Sequence, residues 1–151
     1  MIEIESGPEV SASLDLRWLR ARTVEASTEA GLSRGSVTVR IVGAAEMAGL
    51  HAQFLGLDSP TDVLTFDLTD GTAAPGFIEA EIAVCFDIAK NEVGNRRPVE
   101  AELLLYIVHG ILHCLGYNDQ DPQEFERMHR REDAILEAIG VGRQFDPEAS
   151  S

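Results

Sequence analysis

Lysine is nearly missing from this chain: Lys90 stands alone among 151 residues, and every other basic side chain is an arginine. Acids outnumber bases 26 to 12, for a formal net charge of -14 at pH 7. So anionic a surface does not grip polyanions nonspecifically, because that mode runs on neutralising many phosphates, although a local arginine cluster could still hold RNA at one face. Cysteine is scarce as well. Cys85 and Cys114 make no disulfide framework and suit a reducing compartment. Long apolar runs are absent: the most apolar segment, Leu103 to Leu115, is too short to span a bilayer and carries two histidines. The opening Met1-Ile2-Glu3-Ile4-Glu5 has neither the basic region nor the apolar stretch of a signal peptide. These absences imply a cytoplasmic protein with no membrane partner.

What is present is an ordinary globular composition, 44% hydrophobic and 25% charged. The length predicts one domain over residues 1–151, large enough to bury a full core without staples. Ile2 and Ile4 alternate with Glu3 and Glu5 as in a short strand. The spacing of Leu14, Trp18, Ala21 and Val24 predicts a helix from Ser13 to Ala30, ended by Gly31. Val37, Val39 and Ile41 alternate with polar residues through a half-buried strand, Ser36 to Val42. A helix follows over Ala44 to Leu55, then a turn at Asp58 to Asp62 and a strand from Val63 to Phe66. Asp70 to Gly76 reads as a loop, and Ile78 to Phe86 as a strand. Pro98 sits where an N1 proline would start a helix, with Glu100 and Glu102 suited to the positive end of its dipole. From Leu103 this helix is apolar nearly all round, so it is a central buried helix, stopped by Gly116. Pro122 opens a last helix that runs to Ile139, and a frayed tail closes the chain at Pro147 to Ser151. The fold class is α+β, a small mixed sheet of about four strands with about five helices.

His109 and His113 lie four residues apart on the buried helix, about 40° apart around its axis, so their imidazoles can meet at one ion. Gly116 permits the left-handed turn of a C-terminal cap, and three residues later Asp119 returns a carboxylate. The pattern His-x-x-x-His-x-x-Gly-x-x-Asp has the ligand spacing of a zincin-like metal helix, with aspartate in the third place. Two imidazoles and a carboxylate suit one zinc ion and leave a fourth position open, as catalytic sites do. A lone His-x-x-x-His is a weak signal, and a helical histidine is often simply a core or surface residue; the glycine and carboxylate strengthen the metal reading. Zinc peptidases carry a glutamate directly after the first histidine as general base, whereas this chain has Gly110. No residue here is assigned as the catalytic acid or base.

The run His109-Gly110-Ile111-Leu112-His113-Cys114-Leu115-Gly116-Tyr117-Asn118-Asp119 resembles the signature His-Gly-x-Leu-His-x-x-Gly-Tyr-Asp-His of the YbeY family. Ser59-Pro60-Thr61-Asp62-Val63-Leu64-Thr65-Phe66 is similar to that family's Pro-Thr-Asp-Val-Leu-Ser-Phe element, and the resemblance extends over nearly the whole chain. It implies a zinc-dependent, single-strand-specific endoribonuclease acting in 16S rRNA 3′-end maturation and ribosome quality control. Ribosomal RNA and the small ribosomal subunit would be its partners, with no role for DNA. The chain departs from the pattern at three points. Asp119 replaces the usual third histidine, Ala80-Glu81 replaces a Gly-Asp pair, and Leu55 stands where an arginine thought to help hold or cleave RNA is expected. Leu55 leaves a second reading open, a metal-binding ribosome-assembly factor without nuclease activity.

Arg96 and Arg97, just before the metal helix, are candidates for RNA phosphates; Arg127, Arg130 and Arg131 on the last helix are equally placed to do so. Against that, Glu124, Glu126, Glu132 and Asp133 could pair with the last group in a solvated surface network. Glu102 and Tyr106 share the His109 stripe, and capping and core packing account for them better than a substrate groove. Cys114 lies about 140° from His109 around the helix and reads as core. His51 and His129 read as surface histidines.

Overall fold

A computed structural model of the chain describes residues 1–8, 10, 13–57, 61–71 and 73–142. Four strands form one sheet, β1 (Ile2–Ser6), β2 (Arg34–Val42), β3 (Val63–Asp67) and β4 (Phe77–Cys85), in the order β1-β2-β4-β3. β1, β2 and β4 run parallel, while β3 pairs antiparallel with β4 at the edge. Five helices accompany them: α1 (Leu16–Ala30), α2 (Ala44–Leu55), α3 (Phe86–Val93), α4 (Val99–Cys114) and α5 (Pro122–Ala138). The α+β architecture expected from the periodicities is therefore present. Among the described residues no helix is long and apolar enough to cross a membrane.

Alternation decides which face of the sheet is dry. Val37, Val39 and Ile41 of β2, with Ile78, Ala80, Ile82 and Val84 of β4, join one core cluster with α4 residues Leu104, Ile107, Val108 and Ile111. Eleven of the sixteen residues of α4 are buried, as expected of a helix apolar on nearly every side. The opposite face carries a smaller cluster, in which Met47 of α2 packs with Val42, Leu64, Ala83 and Cys85. The last residues of β4 are buried on both faces for this reason.

Where boundaries differ from the sequence reading, a local partner sets them. α1 starts at Leu16, three residues late, because the Asp15 carboxylate accepts the Trp18 N–H at 3.0 Å and caps the helix there. Pro98 is the N-cap of α4 and Val99 its first helical residue. Ile139 is the C-cap of α5, outside its last turn. Phe86 does not end β4; it begins α3, whose first turn places the Asp87 carboxylate 2.7 Å from the Ala44 N–H at the start of α2. Positions 58–60 of the expected turn and the tail 147–151 lie outside the described residues.

Candidate metal centre

The site is built where α4 stops. Leu115 is the C-cap, and Gly116 takes φ +104°. Its N–H donates to the His113 carbonyl at 3.1 Å, and the Tyr117 N–H donates to the Leu112 carbonyl at 3.0 Å. These two bonds make a Schellman turn, the ending that a glycine with positive φ permits. The turn folds the chain back over the last helical turn, so Asp119 comes to face the two histidines.

His109 Nε2 and His113 Nε2 lie 3.0 Å apart, and Asp119 Oδ2 lies 3.7 Å from the first and 3.8 Å from the second. A tetrahedral ion with ligand bonds of about 2.0–2.1 Å separates its ligand atoms by roughly 3.3–3.4 Å. The observed edges bracket that value. The donor set, two ring nitrogens and one carboxylate oxygen at a partly exposed end of a buried helix, therefore fits a divalent metal such as zinc.

The His109 ring is held from behind. His109 Nδ1 lies 2.7 Å from Glu132 Oε2, a carboxylate on α5 that is 0% exposed. The other oxygen of the same carboxylate, Oε1, lies 2.7 Å from His129 Nδ1. Burial opposes protonation of His109, but the hydrogen bond and charge of Glu132 outweigh it, with Asp119 adding, and the pKa rises above its usual 6.5. For His113, burial and then the neighbouring His109 lower the pKa. Burial would raise the Glu132 carboxyl, yet the hydrogen bonds from His109 and His129 prevail and lower it.

Two hollows meet at His109 and Asp119, one of about 460 Å³ toward β3 and one of about 390 Å³ toward α3 and α5. Asp62, just ahead of β3, lines both. Among the described residues no lysine or arginine lines either hollow. Leu55, at the end of α2, lines the first and is 61% exposed, so this position opens onto the site. Gly110 is pressed against the sheet: a Cβ there would meet Thr65 Oγ1 at 2.9 Å and Ile82 Cδ1 at 3.0 Å. A glutamate in that position, the general base of zinc peptidases, has no room unless both neighbours move.

The other sequence candidates fall in varied places. Arg97 pairs with Glu102, which is 4% exposed, and Arg96 donates to the Glu92 carbonyl. Tyr106 is buried beside Glu102; burial, then the Glu102 charge, drives its phenol far above the usual range. Both residues line the second hollow; Tyr106 also packs in the core, and Glu102 is buried. Arg127 lies over the Tyr117 ring at 5.0 Å, and Arg131 donates to the Glu29 carbonyl at 2.6 Å.

Two readings require correction. Glu132 belongs to no solvated network, because its position in the sequence Met128, Glu132, Ile135, Leu136 lies on the buried stripe of α5. A carboxylate at a core position of an amphipathic helix must have a partner, and that was the signal for it. His129 is no surface histidine, being held by Glu132 with its side chain 16% exposed, and His51 is buried. Cys114 packs against the core but also lines the first hollow, with burial, then Asp67, pushing its thiol up to about 12.

Comparison with known proteins follows the same lines. Residues 7–140 match the family described as Endoribonuclease YbeY. The Endoribonuclease YbeY of Rhodopirellula baltica is 35% identical over 149 residues, covering 93% of this chain and 75% of that protein. That of Halorhodospira halophila is 39% identical over 111 residues, covering 71% and 72%. The solution structure of TM1509 from Thermotoga maritima superposes with a TM-score of 0.59 at 29% identity, over 97% of this chain and 98% of that one.

Proposed function

The chain belongs to the endoribonuclease YbeY family, and from that membership we propose that it is a zinc-dependent endoribonuclease that cleaves single-stranded RNA. Its substrate would be ribosomal RNA, at the maturing 16S 3′ end in small ribosomal subunits, and its compartment the cytoplasm. The observation that carries the reading is the convergence of His109 Nε2, His113 Nε2 and Asp119 Oδ2 at hollows lined by acids.

His109, His113 and Asp119 would hold one ion per chain. When bound, zinc supplies a Lewis acid for a phosphodiester and lowers the pKa of a coordinated water to about 7. The protein's own contribution is directional. The Schellman turn fixes Asp119 opposite the rings, and α4, wedged by Gly110 against β3 and β4, fixes the ring positions relative to Asp62. Acids around the hollow repel phosphate unless a cation is present, so substrate binding depends on the filled site.

Purified protein supplied with zinc is expected to cleave unstructured RNA, while His113→Ala, folded by circular dichroism, is expected to lose at least 100-fold of that activity. Equal cleavage by the two proteins would contradict the proposal. Leu55 at the mouth of the hollow favours a second reading, a metal-binding assembly factor that does not cut. Copurification with ribosomal particles without cleavage, together with activity gained in Leu55→Arg, would decide for it.

A further inference from the structure

We infer that Glu132 is a positioning residue for the metal centre, fixing which nitrogen of His109 carries its proton. The inference rests on the reading of His109, His113 and Asp119 as ligands. A neutral imidazole has one N–H and one lone pair, and which nitrogen has which is set by the hydrogen bond made behind the ring. For His109 the group behind is a carboxylate that can only accept. Glu132 Oε2 at 2.7 Å therefore keeps a proton on Nδ1 and leaves the Nε2 lone pair directed at His113 and Asp119. An acceptor in that place also makes Nε2 a stronger donor to a metal.

Glu132 is itself held. It is 0% exposed, and its second oxygen is taken by His129 Nδ1 at 2.7 Å, with the Phe125 ring packed edge-on against His129 at 4.2 Å between centroids. The carboxylate thus bridges two rings whose centroids are 6.3 Å apart, and it has no solvent toward which to rotate. The surrounding residues of the buried stripe on α5, Met128 and Ile135, are each 0% exposed, so apolar packing alone asks for no charge at this position. An aliphatic residue would fill the space. What it would not do is choose the His109 tautomer.

The test needs zinc itself and two measurements. In the metal-free wild-type protein, at a pH where His109 is neutral, long-range proton–nitrogen NMR is expected to place the His109 proton on Nδ1. Glu132→Gln keeps the size of the side chain but presents an amide shared between two rings. Its zinc affinity, read by competition with a chromophoric chelator, is expected to fall 10- to 100-fold while circular dichroism shows the same fold. A proton on Nε2 of His109 in the wild type, or equal zinc affinity in the two folded proteins, would overturn the inference. Should Glu132→Gln fail to fold, the wild-type proton position still decides. Failure of the wild type to take up zinc overturns the underlying metal reading instead, a result distinct from equal affinities.

Discussion

At the N-terminal end of α4, Glu102 lies buried against the guanidinium of Arg97; at its C-terminal end, His109 and His113 face Asp119. Both clusters put polar atoms on the same apolar helix, and both carry an acid. In the first, a buried charge is closed by an opposite charge from the chain itself, with the Glu102 side chain 5% exposed. In the second, three groups offer lone pairs to one point, the nitrogens only 3.0 Å apart, while their side chains keep 18%, 32% and 41% exposure. An acid matched by its own opposite charge is a structural device. Converging acceptors with access to solvent need a cation, and that difference separates a folding element from a site.

Breaking the charge-paired end should cost stability and leave metal binding alone. Arg97→Ala strands Glu102 without its partner, and unfolding by denaturant is expected to show a loss of about 2 kcal/mol, less than the ~3–5 of a fully enclosed pair. The discount follows from the 23% exposure of the Arg97 side chain. Zinc affinity should be unchanged. A large fall in affinity would mean that the two ends are not independent.

A smaller effect sharpens the contrast by pH. The His109 pKa is raised from 6.5 because the Glu132 hydrogen bond and charge overcome the effect of burial. Stability from its protonated form is fully present below 6.5 and is lost as pH rises through the raised value. Metal binding requires the neutral ring, so proton and zinc compete for this residue. The metal-free Tm is expected to fall as pH rises above 6.5, while the Tm gain on adding zinc grows over the same window. A zinc-induced gain that is flat with pH would contradict this assignment of His109.

The sequence carried the fold through local periodicity. Alternation in Val37 to Ile41 and Ile78 to Val84 marked the two central strands, and the apolar stretch of α4 marked the buried helix. α3 escaped because it is only eight residues long and begins at Phe86 with no loop after β4. The three converging groups were legible for a similar reason, since all lie within eleven residues and one helical turn plus one glycine turn relates them. Glu132 was not read, because its partner His109 is 23 positions away and only packing of α5 on α4 brings them together. The helical stripe containing Met128 and Ile135 nonetheless put a carboxylate in the core. Leu55 was legible as a departure from a motif, while its place on the rim of the hollow required the fold.

Metal content by elemental mass spectrometry, on the wild type and His113→Ala side by side, tests the central claim most directly. The expected result is about one zinc per chain in the wild type and a loss of most of it in the variant, with both proteins folded. No zinc in the wild type after zinc is supplied, or the same zinc in both, would contradict a metal centre at the end of α4.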